Sequence, residues 1–267
     1  MTMDTEEKKE EINPEEPAPA PAMEQKELPP EEMSFWQAAA GVFMEPSKAF
    51  PFLATKKAWI AFPLILLLVT TFVSTYVFFE RVDREAFIMQ QLRNNKFASQ
   101  MPQDQYEKVV NDFKEKNSLT SSIWPGFFMM VWLLLAAVVY YFCFLALGGT
   151  GGFMPTLIVV CWAELTTCAA QLISIPIMLA KAGDQLLHPE AILLSNLGAL
   201  VGPEKISPAI FSLLSAFDVF AAWNLILLII GLAAVSKLSK GMSAMIILSL
   251  YALKIALKVA WVAFFVQ

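Results

Sequence analysis

Residues 59–79 form a run of 21 positions without a single charged side chain. At about 1.5 Å of rise per residue, a helix of that length measures about 31 Å, the thickness of the hydrocarbon core of a bilayer. Four further apolar runs follow, at 123–147, 157–180, 217–235 and 244–265. Hydrocarbon offers no hydrogen-bond partners, so runs of this length cross it as α-helices whose backbone groups satisfy one another. The expected fold is an all-α membrane protein: a five-helix transmembrane bundle at 59–265, preceded by interfacial N-terminal helices and a disordered N-terminal tail.

Composition agrees. Apolar residues make up 57% of the chain and charged ones 16%, against about a quarter charged in soluble domains. Residues 1–34 hold eleven acids and three lysines, a charge of −8, so the remaining chain carries +3 of the overall −5. The acidity therefore belongs to a tail. Residues 1–33 also hold six prolines and few large apolar side chains, too little to offset ordering entropy, and are expected to be disordered. The acidic opening lacks the apolar core of a secretion signal, so the first span is expected to act as the insertion signal.

At 34–58 the pattern changes. Ser34 fits a helix N-cap before Phe35, Trp36, Val42 and Phe43, and a second piece after Pro46 places Phe50, Phe52 and Leu53 beside Lys48, Lys56 and Lys57. Both pieces are too short to span, and the spacing predicts amphipathic helices lying in the membrane interface. Residues 80–122 hold seven basic and seven acidic side chains around two partial helical stripes. They read as a helical hairpin outside the membrane. Residues 181–216 read as a mixed loop.

The approach to the first span carries Lys48, Lys56 and Lys57, and the turn after the fourth carries Lys237 and Lys240. Five spans put both sites on one side, and the positive-inside rule makes that side cytoplasmic, with the C-terminus outside. The expected location is the plasma or inner membrane.

Several polar residues interrupt the apolar runs. A charge at the bilayer centre costs about 2.5–3.5 kcal/mol on insertion scales, so such groups turn to one another or to water. Glu164 lies about 10 Å from the inner edge and Lys254 about 15 Å, while Asp218 and Lys258 fall in the outer half. Two cross-helix pairs are expected, Glu164 with Lys254 and Asp218 with Lys258, either orienting the helices or lining an ion path. Pro176 is the one expected break in a span.

Enzyme chemistry finds little support. Gly148 to Gly152 lacks the Lys-Ser/Thr of a phosphate loop, and a turn between spans accounts for it. His188 is the only histidine, which leaves no His-based metal cluster. Cys143, Cys161 and Cys168 lie in apolar runs and read as small core fillers. No hydrolase motif and no basic groove for nucleic acid are present. No catalytic residue, cofactor or metal is expected.

Two stretches carry a resemblance. One runs through Val42-Phe43, Pro46-Ser47 and Ala49-Phe50 to Lys57, Trp59 and Pro63. The other comprises Asp218-Val219-Phe220, Trp223, Leu227, Gly231-Leu232 and Lys237-Leu238-Ser239-Lys240-Gly241. Together with the glycine turn at 148–152, they resemble the Yip domain (Ypt-interacting protein) family, particularly its bacterial branch. The resemblance implies a five-helix membrane bundle with a cytoplasmic N-terminus and no catalytic residues. Eukaryotic members are tied to small GTPases of the Rab type and vesicle traffic, so it also implies a small GTPase as a partner. The long hairpin at 80–122 and the acidic tail depart from the eukaryotic pattern. The expected role is a non-enzymatic membrane scaffold, with the lipid bilayer, membrane proteins or further copies of the chain as partners. The alternative is a small transporter or channel subunit using Glu164 and Lys254.

Overall fold

The computed structural model describes residues 32–266. The tail expected at 1–33 therefore lies, up to residue 31, outside the described residues. Two short helices open the chain, α1 (Phe35–Met44) and α2 (Pro46–Thr55), and a 3-10 turn at Lys57–Ile60 leads into α3 (Ala61–Arg81). The polar excursion folds as α4 (Arg84–Asn94) and α5 (Gln103–Glu115), followed by the long α6 (Ser118–Ala146). The next span is two helices end to end, α7 (Phe153–Ala163) and α8 (Leu165–Ala180). After it come α9 (Leu197–Val201), α10 (Pro208–Ser215), α11 (Val219–Ser236) and α12 (Lys240–Phe265).

Among the described residues, five helical segments are long and apolar enough to cross a membrane: Lys57–Arg81, Ser118–Ala146, Phe153–Ala180, Val219–Ser236 and Lys240–Phe265. Side-chain caps fix where several helices begin. Ser34 and Gln37 form a capping box at α1. Asp83 accepts from the Ala86 amide, Asn117 from that of Leu119 and Ser239 from that of Met242. Each satisfies an amide that the first helical turn leaves without a partner.

The bundle has two unlike ends. At one lie the turns at 148–152 and 237–239, where Lys237 takes a left-handed conformation at φ 58°. The Thr150 amide donates to the Ser236 carbonyl at 3.0 Å, and a Cβ at Gly151 would stand 2.5 Å from the Val235 carbonyl oxygen. The glycine turn is thus a close backbone contact that locks the second span to the fourth, tighter than a mere flexible connection.

Helices α1 and α2 sit at this same end, and their packing goes beyond what the sequence conveys. They do not only rest their apolar faces on a surface. Ala38, Val42, Ala49, Phe50 and Leu53 are fully buried, in one core with Ile158, Val159, Leu227 and Leu232 of α7 and α11. Phe35 joins Trp59, Phe62 and Trp162 in an aromatic cluster with ring centroids 5.0–6.1 Å apart. Close packing of these apolar and aromatic side chains fixes the short helices to the bundle.

The opposite end is built from α4, α5, the loop at 181–216 and the end of α12. Asp83 caps α4, the Arg84 guanidinium donates to the Phe79 carbonyl at 3.0 Å and to the Lys116 carbonyl, and Lys114 pairs with Glu85. Lys96 donates from its ammonium to the Ala263 carbonyl at 2.7 Å and from its amide to that of Phe265 at 3.1 Å. A cation on the last carbonyls of a helix is favourable in both hydrogen bonding and dipole terms. The α4–α5 excursion is therefore fastened to the C-terminal end of α12.

Candidate functional site

The third span breaks in its middle, at Glu164 and not at Pro176. Glu164 takes φ −67°, ψ −4°, which ends α7 and starts α8. Pro176 lies within α8 without ending it. The break has a tertiary cause. Asn224 of α11 donates its side-chain amide to the Ala163 carbonyl at 3.1 Å and to Thr166 Oγ1 at 3.2 Å, and Thr166 itself donates to the Ala163 carbonyl at 3.0 Å. A side chain inserted into the backbone ladder is a recognised cause of helix interruption, and here it also satisfies the carbonyl it releases. The Glu164 carboxylate accepts from Thr167 Oγ1 at 2.6 Å, with Asn224 Nδ2 at 3.5 Å from its other oxygen.

Glu164 opens onto a cavity of about 650 Å³ between α6, α8, α11 and α12. Its polar lining includes Glu164, Thr167, Asn224, Asp218, Tyr140, Tyr251 and Lys254, and its apolar wall includes Leu133, Ala136, Val139, Leu225 and Leu250. Helix α6 packs along α3 and α7 but touches α12 at only a few positions, which leaves the cavity open laterally between α6 and α12.

Lys254 stands in that opening. It is exposed, and its ammonium lies 5.9 Å from the ring centres of both Trp132 and Tyr251. The expected ion pair with Glu164 is not formed among the described residues: both side chains line the same cavity without one. Each has found nearer partners, Glu164 in Thr167 and Asn224, Lys254 in two aromatic faces.

The expected pairing of Asp218 with Lys258 is likewise replaced. Asp218 is the N-cap of α11, its Oδ1 accepting from the amides of Phe220 at 2.8 Å and Ala221 at 3.0 Å, while Ser195 donates to Oδ2. Lys258 pairs instead with Glu190 at 2.9 Å. The physical reason is the loop at 181–216. It folds back over this end of the bundle, bringing Glu190 to α12 and Ser195 to α11, so both charges are satisfied locally. Tyr251 reinforces this closure by donating to the Ala216 carbonyl at 2.6 Å.

Of the four residues expected to pair, the structure brings Glu164, Lys254 and Asp218 to one cavity, while Lys258 lines the two cavities beyond it. Sequence reasoning missed Thr167, Tyr251 and Trp132 as neighbours of these charges, and Glu190 and Ser195 as their partners. Thr167 was within reach, three residues after Glu164 and so on its face of a helix. Glu190 and Ser195 lie in an irregular segment whose return path no periodicity announces.

Two further cavities continue the central one toward the 181–216 end. A cavity of about 540 Å³ shares Ala170 and Asp218 with it. A third, of about 390 Å³, shares Glu190 and Lys258 with the second and contains His188, within hydrogen-bond reach of Gln90 at 2.7 Å and Glu204 at 2.8 Å. Toward the other end the interior is shut by fully buried side chains, among them Phe50, Leu53, Ile158, Val159, Leu227 and Ile247.

Five apolar helices around a half-open cavity that holds a few polar side chains define an integral, multi-pass membrane protein of the helical-bundle class. The Yip1 domain family model matches residues 40–262, most of the chain, and the protein belongs to that family. No curated protein and no solved structure matches it.

Proposed function

We propose that this Yip-family protein is a non-enzymatic membrane scaffold that organises the bilayer and its neighbours. The observation that carries this reading is the fusion of α1 and α2 to the bundle. Their inner faces are core, while Trp36 and Met44 remain 70% and 81% exposed. Phe43 is exposed on the same short helix, and Lys48, Lys56 and Lys57 follow on the exposed side of the next segment. Aromatic and long apolar side chains beside lysines suit the headgroup boundary. Because the pair is held rigidly, insertion of its outer face acts on the lipid around the whole bundle.

The same lysines, with Lys237 and Lys240, support an orientation in which this end faces the cytoplasm and the 80–122 and 181–216 segments face outward, in a plasma or inner membrane. Partners on this reading are the bilayer, membrane proteins or second copies of the chain, and a small GTPase as the family resemblance implies. The test is in-membrane crosslinking of the full chain, with Trp36→Ser/Met44→Ser as the comparison. A stable self- or hetero-assembly that weakens in the variant supports the scaffold. A chain that remains monomeric and partnerless at native levels overturns it.

The polar irregularity at Glu164, in the middle of the third span, favours a second reading, a small transporter or channel subunit. Discontinuous helices with polar groups at mid-membrane are a recurrent feature of transport sites. Flux of small ions in proteoliposomes, abolished by Glu164→Gln, is the expected result under that reading.

A further inference from the structure

The string of cavities, with polar side chains set among apolar ones, leads from the 181–216 end to mid-membrane, and there it opens sideways beside a lysine. We propose that the cavity between α6, α8, α11 and α12 binds a zwitterionic phospholipid, its phosphate on Lys254, its ammonium at Glu164, and its acyl chain leaving between α6 and α12.

Four observations converge. First, Lys254 has aromatic faces at 5.9 Å but no ion pair among the described residues, although it is exposed at a depth where an unpaired cation is costly. An anionic group in the cavity removes that cost. Second, Glu164 lines the same cavity, its carboxyl group hydrogen-bonded by Thr167 and within 3.5 Å of Asn224 Nδ2, and it makes no ion pair with Lys254 among the described residues. A ligand that satisfies both carries a negative and a positive group close together. Third, the remaining wall is apolar, with Leu133, Ala136, Val139, Leu225 and Leu250 suited to an acyl chain. Fourth, about 650 Å³ is within the range of small-molecule sites, roughly 300–1,000 Å³, so the headgroup and the first part of a chain fit.

The neighbouring cavities give the headgroup a polar route to this depth, past Asp218 and the Glu190–Lys258 pair. This inference uses the cavity on which the transport reading rests, but it requires binding only, and a binding measurement fails independently of a flux measurement.

The test is native mass spectrometry of the delipidated full chain in detergent, titrated with three amphiphiles of equal acyl length: lysophosphatidylethanolamine, lysophosphatidylglycerol and a monoacylglycerol. The wild type is expected to bind the ethanolamine lipid tightest and the uncharged glyceride at least tenfold more weakly. Lys254→Gln should weaken both phospholipids about tenfold and leave the glyceride unchanged. Lys254→Arg should restore them. Glu164→Gln should remove the preference for ethanolamine over glycerol. Equal binding of all three amphiphiles by the wild type overturns the proposal, as does a folded Lys254→Gln protein that binds like the wild type. If that variant does not fold, the wild-type headgroup ranking decides.

Discussion

The ring of Phe50 lies directly on the backbone of Gly231. A Cβ at Gly231 would stand 2.9 Å from Phe50 Cδ2 and 2.5 Å from Val159 Cγ1. Helices α2, α7 and α11 therefore meet at one glycine, and the absence of a side chain there lets Phe50 seat against α11. Interfaces between membrane helices rely on such small residues to bring backbones together.

Gly231→Val is accordingly expected to push α2 off the bundle. Overpacking of a filled core costs about 1–3 kcal/mol, read as a lower unfolding temperature in detergent. Phe50→Ala alone should cost about 3–5 kcal/mol through the cavity it leaves. The double variant should lose less than the sum, because removing the ring relieves the part of the clash that falls on Phe50 and leaves the part on Val159. Additive losses would show that Phe50 carries none of the clash at Gly231.

This contact also shows what could be read from sequence. The five spans were legible because lipid imposes length and apolarity on each segment separately. The two stretches carrying the family resemblance were legible as motifs, yet their meeting was not: Phe50 and Gly231 are 181 positions apart, and neither hydropathy nor periodicity encodes who faces whom. The charge partners failed for a related reason. Depth along a helix placed Glu164 near Lys254 and Asp218 near Lys258, but depth ignores what an irregular loop returns to the bundle. Glu190 and Ser195 came from that loop. The break at Glu164 was hidden because it depends on Asn224 from another helix, whereas Pro176, a local signal, proved compatible with the helix around it.

The role of Asn224 can be measured. Its amide satisfies the last carbonyl of α7 at 3.1 Å, so Asn224→Leu leaves that carbonyl with Thr166 alone. A loss of about 1–3 kcal/mol is expected, the usual range for stranding a buried polar group. Thr166→Val added to it should cost more than it does in the wild type, since each donor covers for the other. An unfolding temperature unchanged in the double variant would refute this account of the break.

The repartnering of Lys258 makes a discriminating forecast. A double-mutant cycle on Glu190 and Lys258 should give a coupling of about 0.2–1 kcal/mol, as for partly exposed ion pairs, and exchange of the two charges should recover most of it. The corresponding cycle on Asp218 and Lys258 should give none. Asp218→Ala should nevertheless cost about 0.5–2 kcal/mol through loss of the α11 cap, with Asp218→Asn retaining most of that. Coupling between Asp218 and Lys258 larger than that between Glu190 and Lys258 would restore the pairing first expected.

Orientation follows from placing the two ends of the bundle on opposite faces of a sealed vesicle. With Cys143, Cys161 and Cys168 replaced, single cysteines at Ser47 and Lys237 should react from one side only, and those at Gln105 and Glu204 from the other only. All four positions are exposed, so a membrane-impermeant thiol reagent reaches each without unfolding. In oriented vesicles the first pair should be the cytoplasmic one, because that end carries Lys48, Lys56, Lys57, Lys237 and Lys240, whereas the opposite end mixes both signs nearly evenly between Arg81 and Lys116. Only an odd number of crossings between Ser47 and Gln105, and between Glu204 and Lys237, yields that pattern. If Gln105 labels from the same side as Ser47, the first span does not cross and the bundle as described cannot stand in a membrane.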